Sequence, residues 1–195
     1  MSFQLSSPGG DTPRRGSLSV IIIGLGNPIL GDDGIGWHVA ESIRANLSDA
    51  QPESLAPFQN LSTEVDCLSV GGLSLMEHLV GYQRALIIDA ITSNTNPPGT
   101  VTSFPLEDLP AQAACHLGSA HDTSLQTAIQ MGRTLGASLP EQVHIVAIEA
   151  QAVYEFSEQL TSPVAAAVPT AAQAALEVLA QWANQEIPND HKKAT

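Results

Sequence analysis

The stretch that most constrains this chain is residues 19–47, SVIIIGLGNPILGDDGIGWHVAESIRANL. A β-branched run, Val20 to Ile23, is long enough for one buried strand and breaks at Gly24 and Gly26. Asp32 and Asp33 then stand immediately before a helical period in which Gly36, Val39, Ala40, Ile43 and Leu47 share a face, with His38, Glu41 and Arg44 turned to water. Strand, glycine turn, paired carboxylates and helix entrance follow one another without a gap. In open α/β sheets, ligand chemistry gathers at the carboxyl ends of strands, so the segment reads as half of an active site. A helix entrance also attracts aspartate for a plainer reason, because a carboxylate there caps free N–H groups, and Asp32 in particular invites that reading.

A dinucleotide-binding turn needs a third glycine where this chain has Ile29. The string Gly24 to Pro28 is similar to the opening of peptidyl-tRNA hydrolases, but the likeness ends after those five residues. Seven Lys and Arg against 20 Asp and Glu leave a net charge of −13, which repels a phosphate backbone and speaks against nucleic acid as a partner.

The later segments extend the pattern. A strand is expected over residues 64–70, followed by Gly71-Gly72 and a short helix over 73–80, with His78 on its surface. Residues 84–91, RALIIDAI, form the most apolar strand candidate, and Asp89 near its end is costly to bury unless it lies at an open sheet edge or has a partner. The Asn-, Pro- and Gly-containing turn over 94–99 leads to a short strand at 100–104, read as an antiparallel edge. His116 and His121 precede a helix carrying Leu125, Ala128, Ile129, Gly132 and Leu135, with Thr123 or Ser124 as its cap and Gly136 as its stop. Residues 143–149 make another central strand ending in Glu149, which reads either as an extra ligand or base or, by preference, as a rim carboxylate holding a loop N–H. Ser162-Pro163 opens a last helix with Val164, Val168, Ala171, Ala175, Leu179 and Trp182 as its packing stripe and a bend expected at Pro169.

These elements predict a three-layer α/β/α sandwich with a mostly parallel sheet of about five strands and one antiparallel edge strand. One domain is expected over 18–187, between a disordered polar leader at 1–17 and a polar tail at 188–195. The leader lacks the apolar core of a secretory signal. Polar breaks at Pro169, Gln173, Glu177 and Gln181 argue against a membrane span in the last helix. Cys67 and Cys115 are too few for a disulfide framework or a thiolate metal site, which suits a reduced, cytoplasmic setting.

The pattern G-x-G-N-x-x-x-x-D-D-G-x-G, Gly24 to Gly36, resembles the opening motif of the nickel-iron hydrogenase maturation endopeptidases, and SVGGLSLMEHL and SAHDTSL are similar to later segments of that family. The resemblance implies an endopeptidase that removes a C-terminal extension from the hydrogenase large-subunit precursor once nickel is inserted. It implies Asp33, Asp89 and His121 as nickel ligands and catalytic groups, His121 being preferred over His116. By the same resemblance the nickel is supplied by the substrate, with no tightly bound organic cofactor, and the enzyme is a monomer. Two oxygen donors and one imidazole suit a divalent ion held loosely, with positions left for a carbonyl and a water. No H-E-x-x-H or nucleophile triad is present. The rival of another class is a non-catalytic, nickel-sensing module that docks on the large subunit; a peptidyl-tRNA hydrolase-like esterase is the weaker enzymatic alternative.

Overall fold

The computed structural model describes residues 17–49, 56–109 and 124–185. Residues 1–16 of the expected leader, the expected tail at 188–195 and the segment carrying Cys115, His116 and His121 therefore lie outside the described residues.

Five strands form one sheet: β1 (Leu18–Leu25), β2 (Leu61–Leu68), β3 (Arg84–Ile91), β4 (Val101–Pro105) and β5 (Gln142–Glu149). Their spatial order is β2-β1-β3-β5-β4. All neighbours are parallel except β4, which runs antiparallel to β5 on the far edge, as the short helix-free return after β3 requires. β3 is buried along its whole length, as expected of a central parallel strand covered on both faces. β2 begins at Leu61 rather than at Glu64, because pairing with β1 starts at Leu18↔Leu61 and carries the polar Ser62 and Thr63 into the ladder.

Side-chain alternation sorts the strands into two cores. Val20, Ile22, Leu86, Ile88, Val146 and Ile148 face α1 (Ile35–Asp49) and the last helix, α4 (Ser162–Ala183). Ile21, Ile23, Ala85, Ile87, Ile145 and Ala147 face α2 (Gly72–His78) and α3 (Leu125–Thr134). The arrangement is the three-layer sandwich with its antiparallel edge strand. Helix α4 has the length and apolarity to cross a bilayer by composition, yet Val164, Ala171, Ala175, Leu179 and Trp182 of one stripe are packed in the first core. It also runs as one helix through Pro169, which is exposed. Ser124 caps α3 by accepting the Thr127 N–H at 3.3 Å.

Candidate active site

Backbone contacts explain why the first motif is glycine-rich. A Cβ on Gly36 would stand 2.2 Å from the Leu25 carbonyl oxygen and 2.5 Å from that of Ile88, so α1 begins directly on the ends of β1 and β3. Gly26 sits at φ 124°, and a Cβ there would lie 1.8 Å from the Asp33 carbonyl oxygen. Only glycine lets the chain fold back this closely. The chain leaves β1, makes a 3-10 turn over Gly31–Gly34 and lays Asp33 against the end of the strand it has just left.

Asp33 is buried at 7% exposure, and its Oδ2 accepts the Asn27 N–H at 2.7 Å. Asp89 is fully buried on β3, the strand beside β1, one residue beyond the Gly24↔Ile88 pair. Its place in the alternation puts it on the face of Ile87 and Ile91, the side covered by α2 and α3. The end of α3 reaches Pro140 before β5, where Arg133 donates to the Pro140 carbonyl at 2.6 Å. The helix therefore runs antiparallel to the sheet, with its entrance toward the carboxyl ends. The two carboxylates thus belong to adjacent strand ends, and the helix that His121 precedes enters from that side of the same face. His121 and its competitor His116 are outside the described residues, and among the described residues no group of three His, Cys, Asp or Glu side chains is placed to hold a metal ion. His38 and His78 are exposed, as their helix positions predict.

Asp32 corrects the capping expectation. It is fully buried, and its carboxylate accepts four hydrogen bonds from a distant loop: Thr161 N–H at 2.7 Å on Oδ1, and Ala152 N–H at 3.1 Å, Gln151 N–H at 3.3 Å and the Thr161 hydroxyl at 3.0 Å on Oδ2. The backbone of the same loop completes the clasp, with Asp32 N–H donating to Ala152, Gly31 N–H to Ser157 and Ser157 N–H to Ile29. A side chain expected at a helix end instead fixes residues 151–161 beside the site. Sequence spacing carries no signal for this, since the partners are more than a hundred residues away.

Glu149 follows the sequence reading. Buried at the end of β5, it accepts the Ser93 and Asn94 N–H groups at 2.8 and 3.0 Å on Oε1 and the Ser93 hydroxyl at 2.6 Å on Oε2. It holds the turn that follows Asp89, where Asn94 adopts a left-handed φ of 56°. Asp32 and Glu149 therefore brace the loops on either side of the strand ends, and Asp33 and Asp89 lie among the braced backbone.

A mostly parallel sheet between two helical layers, with two buried carboxylates at its carboxyl edge and neighbouring carboxylates holding loops, has the arrangement in which open α/β sheets gather ligand chemistry. The hydrogenase maturation protease model HycI matches residues 60–178, more than half of the chain. The chain belongs to the hydrogenase maturation protease family. It is 27% identical over 172 residues to the hydrogenase expression/formation protein HoxM of Cupriavidus necator, covering 87% of this chain and 78% of that one. It is 25% identical over 175 residues to the hydrogenase 2 maturation protease of Escherichia coli, covering 89% and 98%. Among solved structures, the hydrogenase maturating endopeptidase HybD from E. coli superposes with a TM-score of 0.62 at 22% identity over 85% of this chain and 94% of that one. The nickel-iron hydrogenase maturation protease HybD from Thermococcus kodakarensis gives 0.56 at 24% identity over 83% and 99%. Those two likenesses are likenesses of fold.

Proposed function

We propose that this chain is the endopeptidase that removes the C-terminal extension of a nickel-iron hydrogenase large-subunit precursor after nickel insertion, with Asp33, Asp89 and His121 receiving the nickel carried by the substrate. Family membership supports the peptidase activity and the kind of substrate. The observation that carries the finer reading is the presence of two buried carboxylates, Asp33 and Asp89, at adjacent strand ends, on backbone held in place by Asp32 and Glu149. Buried carboxylates are costly, and a site that meets a divalent ion gives them a use.

In this reading the substrate's nickel supplies Lewis acidity at the scissile carbonyl. The chain's part is to fix Asp33 through the Asn27 N–H, to fix Asp89 on a rigid strand, and to bring His121 in ahead of α3. Three donors without a thiolate hold an ion weakly, so nickel would act as a token of a completed precursor rather than as a resident cofactor. The proposed enzyme works as a monomer in the cytoplasm, a setting in keeping with two sparse cysteines.

The deciding experiment incubates purified chain with nickel-loaded and nickel-free precursor of its own organism and reads the released peptide by mass spectrometry. Release from the loaded form alone is expected. Equal release from both would remove nickel from the mechanism, and binding without release would favour the non-catalytic docking module.

A further inference from the structure

The loop that Asp32 clasps carries side chains that folding does not use. Residues 151–160 are tied down at both ends by the Asp32 carboxylate and in the middle by a bridge between Leu30 and Ser157. Yet Tyr154 and Phe156 stand 86% and 87% exposed, and Ile29, whose carbonyl accepts the Ser157 N–H, is 47% exposed. Isolated exposed apolar side chains are ordinary on a protein surface. Here three occur on two backbone segments hydrogen-bonded to each other, and one of those segments continues into Asp33. The chain's other tyrosine, Tyr82, is half-buried and donates to Glu64 at 2.5 Å. Glu155 and Glu158, both exposed, interleave with the aromatic residues.

We propose that this strap is the docking surface for the precursor segment next to the scissile bond, and that it takes a stretch presenting an apolar side chain beside an arginine or lysine. The proposal rests on the processing role argued above and names the part of the protein that holds the substrate. Aromatic side chains on immobilised backbone lose little entropy on binding and are the usual anchors of interfaces. Their faces attract a guanidinium or ammonium group, and Glu155 and Glu158 add the complementary charge. The overall charge of −13 favours a cationic partner in the same sense. Because Asp32 sits between the strap and Asp33, a segment seated on the strap is delivered to the site with no loop left to order.

The test measures affinity for purified nickel-free precursor by calorimetry, with every form carrying Asp89→Asn so that no peptide is released. Tyr154→Ser with Phe156→Ser should weaken binding at least tenfold, and Glu155→Lys with Glu158→Lys should weaken it and flatten its salt dependence. Leu135→Ser, at an 84% exposed position at the far end of α3, is the control and should leave affinity within twofold. Equal affinity in all forms overturns the proposal. So does a wild-type dimer that the aromatic pair of changes converts to monomer without altering precursor binding, since the surface then serves self-association. A wild-type chain that binds precursor through the strap but releases no peptide from the nickel-loaded form would instead overturn the proteolytic reading and leave the docking surface standing.

Discussion

The Thr161 N–H donates to Asp32 Oδ1 at 2.7 Å across 129 residues of sequence, and the Thr161 hydroxyl donates to Oδ2 of the same carboxylate. Thr161 precedes α4 directly, so this one contact joins the entrance of the last helix to the turn that carries Asp33. Replacing Asp32 by asparagine turns one acceptor into a donor facing N–H groups. Charge-assisted bonds contribute about 1.5–3 kcal/mol each and do not simply add, so Asp32→Asn should cost on the order of 3 kcal/mol. Urea unfolding should show a lower midpoint at unchanged slope, and precursor cleavage should fall as the strap loosens. A stability equal to wild type would return Asp32 to the role of a simple cap.

The three proposed nickel ligands should behave differently from Asp32. Asp33→Asn, Asp89→Asn and His121→Ala should each abolish cleavage of nickel-loaded precursor, while circular dichroism and thermal melting stay close to wild type. The amide introduced by Asp33→Asn retains an acceptor for the Asn27 N–H, which isolates the loss of charge from the loss of the loop contact. His116→Ala is the control and should cleave normally. If it is inactive while His121→Ala is active, the third ligand is His116.

Gly36→Ala should prevent folding or lower stability by more than about 3 kcal/mol, because its Cβ meets two strand carbonyls that cannot retreat. Gly136→Ala provides the contrast. Unlike Gly36 it has a positive φ, 85°, but nothing lies within 4 Å of the added carbon, so the cost should stay near the roughly 1 kcal/mol of a left-handed alanine. Thermal melts of the two variants separate close approach from backbone strain.

His144 on β5 gives the stability a pH dependence. Burial beside Trp182, at a ring separation of 6.5 Å, holds its imidazole below the usual pKa, with Glu107 opposing the shift. The unfolded chain then binds the proton more readily than the folded one, so this residue lowers stability as pH falls through about 6.5 and below. Melting temperatures at pH 7.5 and 5.5 should differ less in His144→Gln than in wild type. An unchanged difference would assign the slope to other groups.

The legible parts of the fold were those with local causes. The apolar runs of β1, β3 and β5 and the Ser162-Pro163 start of α4 follow from residues a few positions apart. Glu149 was legible as a loop holder because a carboxylate ending a buried strand has few other uses. What escaped was set by contacts distant in sequence. The three added residues of β2 come from the register of β1, and the clasp on Asp32 comes from a loop with no apolar period of its own. The likeness that named Asp33 and Asp89 as ligands held no word about the strap, since its exposed Tyr154 and Phe156 belong to no strand or helix pattern.

The sheet also ends in β2, whose outer rim has no neighbouring strand among the described residues. An unpaired row of amides and carbonyls invites another chain to add itself, and such growth ends in aggregates. Glu64 is exposed along this strand, and Asp66 turns its carboxylate onto the Cys67 N–H at 2.8 Å, taking up one of the backbone donors there. A second copy of β2 laid alongside would bring like charges together with a blocked amide. The two acidic residues on this edge strand thus oppose growth of the molecule onto a second copy of itself.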